Sequence, residues 1–312
     1  MQYGRIPGVP GEVPRLILGS TPFLGDSYDE AVAVANAYVE AGGTVVETAR
    51  SYGQGRTEGL IARWLDEGRL RDRVRVFTKG GHHHEEGVHR IAPDQITHDL
   101  LESLDELKTD RVALYMLHRD DVSSPVGPIV ECLHAHSEAG RIDAYGGSNW
   151  STARLDAANA YAASHGLRPF VVSSVNLALA VPSEPLWFEA ISIAGDRAAH
   201  AWYRQRQMPL ISWSSGARGF FSGRFSPDSP GDPQITGPYT TQENWERLRR
   251  VQEFARKRGV TTQQVALAFV LTQRFPTFLL TGPATVQELT DNLNTERVQL
   301  TFDEAAWLNL ES

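Results

Sequence analysis

The sequence has 312 residues, with 30 Lys and Arg against 38 Asp and Glu, a formal net charge of −8. That acidic balance argues against a nucleic-acid groove or an anionic membrane surface as the main partner, and one cysteine, Cys132, leaves no disulfide framework or thiolate zinc cage. No apolar run approaches the ~18 residues of a membrane-spanning helix, and MQYGRIPGVPGEVPR at the N-terminus lacks the apolar core of a signal peptide; the expectation is a cytoplasmic protein.

Short apolar runs alternate with helical patterns along the chain. Strands are predicted at 15–19, 44–47, 74–79, 111–118, 142–148, 170–175, 209–213 and 278–281. Runs such as VRVFT and VALYML are continuous rather than alternating, as in parallel strands buried on both faces. Ser27 and Asp29 open a helix that stops at Gly42 and Gly43. Pro93 opens another, with Ile96, Leu100, Leu104 and Leu107 on one face. Further helices are predicted at 128–139, 152–165, 196–206, 242–258, 262–273, 286–293 and 302–311. Eight strands separated by helices predict an α/β fold, a (β/α)₈ barrel, as one domain over 1–312. The open doubly wound alternative would carry G-x-G-x-x-G after its first strand, which GSTPFLG does not match. Two segments, 177–195 and 216–241, are long for connections and are predicted to be functional loops at the C-terminal face.

The polar residues that end the apolar runs carry the functional information. VVE stops at Glu47, VRVFT at Lys79, VALYML at His118 and YGG at Ser148 and Asn149, while LISW is followed by Ser214. Barrel enzymes assemble their sites from such strand ends. Tyr52, five residues beyond Glu47, adds a phenol. A phenol titrates near 10, and a neighbouring ammonium favours its phenolate. A carboxylate behind the ammonium keeps it charged, and an imidazole offers a second contact to a substrate oxygen. Lys79 would tune, Glu47 anchor, Tyr52 exchange the proton and His118 orient the substrate.

This arrangement resembles the aldo-keto reductase superfamily over nearly the whole chain. ETARSYGQG is similar to that family's acidic strand end and tyrosine loop, FTKGG to its lysine strand, and LYMLHRDD to its histidine strand. GGSNW resembles its Ser-Asn pair, ISWSSGARGFFSGRF its pyrophosphate loop, and TGPATVQELTDN its adenosine-binding end. The resemblance implies NAD(P)H-dependent reduction of a small aldehyde, ketone or sugar carbonyl, with Tyr52 as proton donor. Ser148, Asn149 and Ser174 would lie at the nicotinamide carboxamide, and Trp213 would stack on the ring, its alternative being a core indole. Ser20, Thr21, Ser214, Ser215, Gly216, Arg218, Gly282, Glu288 and Asn292 complete the expected cofactor site. Phe23, His82, Arg119 and Trp150 are expected substrate walls.

Three departures from the family pattern bear on the outcome. Glu47 stands where Asp is usual, so its pairing with Lys79 needs a different rotamer or is looser. Ser174 replaces a longer Gln, leaving a bridging water or Asn176 to compensate. No Lys or Arg lies between 277 and 292, and Glu288 could accept from a free 2′-hydroxyl, which leans the cofactor reading toward NADH. The run His82-His83-His84-Glu85-Glu86 has ligand chemistry, but adjacent residues do not converge readily on one ion, so no metal is expected. Two other functions stay open: a nicotinamide-binding redox sensor with little turnover, and a metal-dependent barrel isomerase or lyase. The partner expected is a small molecule, with neither nucleic acid nor membrane, and a monomer is the default.

Overall fold

The computed structural model describes residues 1–311. A small antiparallel pair, β1 (Tyr3–Gly4) and β2 (Val13–Pro14), precedes eight parallel strands. These are β3 (Leu16–Gly19), β4 (Val45–Glu47), β5 (Arg75–Gly80), β6 (Val112–Leu117), β7 (Ile142–Ser148), β8 (Ser173–Ser174), β9 (Leu210–Ser212) and β10 (Thr277–Thr281). Each pairs with the next, and β10 returns to β3, closing the predicted (β/α)₈ barrel. All eight predicted strands are present. The predicted run at 170–175 shrinks to the two residues Ser173–Ser174.

The helices are α1 (Tyr28–Glu40), α2 (Arg56–Glu67), α3 (Pro93–Glu106), α4 (Val126–Glu138), α5 (Thr152–His165), α6 (Arg197–Arg206), α7 (Pro233–Thr236), α8 (Gln242–Arg258), α9 (Thr262–Leu271), α10 (Val286–Leu293) and α11 (Phe302–Leu308). The sequence reading named no helix between β4 and β5, where α2 lies. Its Ile61, Trp64 and Leu65 are buried at helical spacing, while the glycines just before it hide its start. No helix among the described residues is long and apolar enough to cross a membrane.

Inside the barrel, Ile17, Val45, Phe77, Leu114, Val172, Ile211 and Phe278 form one core, joined by Ile6, Val9 and Val13 of the N-terminal segment. The Arg75 guanidinium, at the start of β5, donates to the carbonyls of Pro10 and Glu12 and holds that segment across the N-terminal end. Two further cores fill the space between barrel and helices. The two long loops belong to them: Leu177, Leu179, Phe220, Phe221 and Tyr239 are fully buried. With one end of the barrel closed and the loops packed down, the opening lies at the C-terminal ends of the strands.

Glu58 in α2 is an exception to the apolar packing. Its carboxyl is fully enclosed behind β5, accepts a 2.6 Å hydrogen bond from Thr78 Oγ1, and is pushed up to about 7 by burial, against the hydrogen bond from Thr78. A group raised from the ordinary value leaves stability intact below about pH 4.5 and erodes it as pH climbs to about 7. Urea unfolding of Glu58→Gln against the parent should show the parent losing up to about 3 kcal/mol more between pH 4.5 and 8. Parallel pH profiles would contradict this account of Glu58.

Candidate active site

Strand alternation and one tight turn bring the reactive groups together. Glu47 ends β4 beside β5, which carries Lys79. After Glu47 the chain passes Thr48, whose amide donates to Phe77 O, and Arg50, whose amide donates to Lys79 O, so the segment stays tied to β5. It then turns sharply through left-handed backbone at Gly53 (φ 57°), Gln54 (φ 58°) and Gly55 (φ 87°), which returns Tyr52 over the barrel mouth. At Gly55 a Cβ would also lie 2.1 Å from Arg50 Nη1, so a side chain there would have to displace that guanidinium.

Lys79 and Glu47 are 2% and 3% exposed and form an ion pair through Nζ and Oε1. Lys79 Nζ also donates to Thr48 O at 3.1 Å and to Tyr52 Oη at 3.2 Å. Three oxygens thus surround the ammonium nitrogen, one of them an ion-pair partner and two of them hydrogen-bond acceptors. Burial pulls the Lys79 ammonium down, but Glu47 and Tyr52 outweigh it and hold it above its ordinary value. The longer Glu side chain therefore keeps the pairing.

Tyr52 runs against the simple expectation. Lys79 does favour its phenolate, but burial acts more strongly and the net shift is upward. The phenol is thus protonated at neutral pH. Its ring meets the His118 imidazole edge-on, with centroids 5.5 Å apart. Burial, with help from Lys79 and His82, drives His118 well below its usual range, so the imidazole is neutral. His82 packs edge-on against His118 at 4.6 Å, and His83 contacts Phe188 at 5.5 Å.

These groups occupy one end of a cleft of about 980 Å³. Ser20, Thr21, Ser148, Asn149, Trp213, Ser214, Ser215, Gly216, Arg218, Gly282, Glu288 and Asn292 all line it, as do His82 and Arg119. Three of the named residues do not. Ser174 is fully buried behind the wall, where its carbonyl accepts from Asn149 N at 3.0 Å. Phe23 points into the core against Trp64, and Leu24 lines the cleft in its place. Trp150 is buried on Phe170 and donates from Nε1 to Arg119 O at 3.1 Å, bracing a wall residue from behind. Asn176 does not compensate for Ser174: its amide donates to Trp213 O at 2.9 Å and accepts from Ser192 Oγ at 2.7 Å.

The loop after β9 carries left-handed backbone at Ser214, Ala217 and Arg218, a costly run sustained by its surroundings. Arg218 donates to Leu186 O at 2.9 Å and lies 4.4 Å over the Trp187 ring, joining the two long loops above the cleft. Of the aromatics in these loops, Phe220, Phe221 and Tyr239 are core, whereas Trp187 and Phe188 are exposed and Trp187 lines the cleft. Arg224 and Gln263 also line the cleft. The second arginine of GARGFFSGRF was the legible signal for the former; nothing in the sequence marked Gln263.

Comparison with known proteins agrees with the fold. The model of the Aldo/keto reductase family matches residues 15–309. The chain is a member of that family. It is 24% identical to an uncharacterised oxidoreductase of Bacillus subtilis, YrpG, over 99% of this chain and 95% of that one. It is 27% identical to the NADP(+)-linked aldo-keto reductase yakc of Schizosaccharomyces pombe, over 91% of this chain and 83% of that one. The fold matches that of a glycerol dehydrogenase from Gluconobacter oxydans with a TM-score of 0.80, at 22% identity, covering 98% of this chain and 94% of the other. This aldo-keto reductase is therefore an NAD(P)-dependent oxidoreductase acting on carbonyl or CH–OH groups of small molecules.

Removing the cation should expose what the ion pair does. In Lys79→Met the Glu47 carboxylate is buried without a counter-charge, a change that typically costs about 3–5 kcal/mol. Urea unfolding should show that loss at pH 8 and a smaller one near pH 5, where Glu47 can take up a proton. An equal loss at both would mean that charge is not the cause.

Proposed function

We propose that the protein reduces a small aldehyde or ketone with Tyr52 as the proton donor. The observation that supports this most is the three-acceptor arrangement around Lys79 Nζ. By donating to Tyr52 Oη, Lys79 occupies a phenol lone pair and leaves the phenolic proton directed elsewhere, toward the cleft. As that proton leaves, the ammonium stabilises the phenolate at the moment of charge development. Glu47 keeps the ammonium charged. His118, neutral, has one N–H to offer the carbonyl oxygen.

The residues present suit a nicotinamide dinucleotide. Ser20 Oγ and Trp213 Nε1 are buried polar atoms without a partner in the protein. Gly282 and Gly216 line the cleft, each packed so closely on a neighbour that a Cβ would come within 2.4 Å of Thr21 Oγ1 and Gln263 Nε2 respectively. A bound dihydronicotinamide supplies the hydride to the carbonyl carbon. Asn149 donates both amide protons, to His118 O and to Ser148 Oγ, each at 3.2 Å, and accepts from Ile191 N at 3.1 Å. That leaves one Asn149 Oδ1 lone pair and the Ser148 hydroxyl proton, one acceptor beside one donor, the complement of a carboxamide. Trp213 offers a flat face next to them.

For the second nucleotide the reading is NADH. Glu288 lies in the cleft and would repel a 2′-phosphate. Arg218 has its guanidinium on Leu186, Gln234 and Ile235 carbonyls, and Arg224 alone pulls the other way from the Ser222 side. Relief of this repulsion in Glu288→Gln should improve the NADPH-to-NADH affinity ratio about fivefold, roughly the 1 kcal/mol of an exposed charge contact. Tryptophan quenching measures it, and an unchanged ratio removes Glu288 from the discrimination.

Tyr52→Phe tests the reaction itself. It should lower kcat for aldehyde reduction by at least about 100-fold, the usual worth of a positioned acid, while cofactor affinity stays within about twofold. In the parent, alcohol oxidation should accelerate as pH rises toward 10, because the raised phenol must then ionise first. Turnover in Tyr52→Phe near the parent's rate would refute the assignment.

A further inference from the structure

Arg119 follows His118 and is 7% exposed, yet its side chain lines the cleft at the same end as Tyr52, Lys79 and His82. One guanidinium nitrogen, Nη1, donates to His118 O at 3.0 Å; Nε is buried with no partner. Among the described residues no carboxylate comes within ion-pair distance of it. Glu189, the acid nearest in effect, is committed to His89 at 2.7 Å. Guanidinium keeps its charge at any working pH, and a buried charge without a counter-ion is expensive.

The charges around it sharpen the point. Glu47 and Lys79 cancel, Tyr52 is a neutral phenol, and His118 and His82 are held below their ordinary range by burial first. In a chain of net charge −8, the reacting end of the cleft is left with one uncompensated positive charge, that of Arg119. Its backbone is braced from behind by Trp150 Nε1, and its head is held by the Nη1 bond to His118 O. Trp187, 48% exposed, lines the same cleft, and Phe188 meets His83 edge-on.

Resting on the reductase reading, we propose that Arg119 binds the carboxylate of the substrate, which is therefore a carbonyl acid: an aldehyde or ketone bearing a carboxylate beside a flat or apolar body. The planar fork of the guanidinium suits a carboxylate, and the anion supplies the counter-charge that the protein withholds. The reaction is unchanged: hydride reaches the carbonyl carbon and the Tyr52 proton its oxygen, giving a hydroxy acid, while the carboxylate takes no covalent part.

The test uses the full chain and a matched pair of probes, 4-carboxybenzaldehyde and its methyl ester, which differ at the far end of the ring. The parent should favour the acid in kcat/KM by at least about tenfold, chiefly through KM, the size expected of a charge-assisted pair. In Arg119→Met the ratio should fall to within about twofold of unity, and Arg119→Lys should restore part of it. Cofactor quenching titrations on each variant show whether the cleft is intact. A parent ratio near one overturns the proposal without need of any variant, and so does a preference that survives in a folded Arg119→Met. Brisk Tyr52-dependent reduction of the ester with no preference for the acid would refute the anchor and leave the reductase reading standing. Failure to reduce either probe with either nicotinamide would refute both.

Discussion

The buried ion pair between Glu47 and Lys79 is the constraint from which the rest of the site follows. Two charges withdrawn from water gain little stability, since desolvation offsets most of their attraction. What the pair gives instead is geometry. Lys79 has its protons on Glu47, Thr48 O and Tyr52 Oη, so the ammonium cannot rotate without breaking a buried hydrogen bond. Two adjacent strands and the turn after the first of them are thereby locked to one nitrogen. The phenol that results is held protonated by burial.

The barrel was legible because parallel strands buried on both faces leave continuous apolar runs, and each run stops where the chain meets the mouth. Glu47, Lys79, His118, Ser148 and Asn149 could be picked out for that reason alone. Phe23 and Trp150 were misread for a related one. They sit four and two residues beyond the ends of their strands, where side-chain direction depends on the turn taken rather than on alternation. At 149 the chain adopts left-handed backbone (φ 59°), and Trp150 swings onto Phe170 instead of into the cleft. Ser174 fails differently: its neighbours close over it, and its contribution is a carbonyl, which no side-chain pattern can announce. Burial also decided the sign for Tyr52, since the ammonium beside it was readable in sequence and the loss of water around it was not.

The long loops show why the wall of the cleft resists prediction from local sequence. Asn149 has its polarity set by Ile191, whose amide must meet an oxygen, so Oδ1 faces the loop and Nδ2 faces His118 and Ser148. Asn176 repeats the device one strand on, between Trp213 O and Ser192 Oγ. In both cases an asparagine at a strand end is oriented by a residue 15 or more positions away, inside the loop 177–195. If Ile191 were displaced, the Asn149 amide could turn over, and its donor and acceptor would exchange places. The loop thus does more than cover the mouth: by donating one backbone proton it sets which way the Asn149 amide faces.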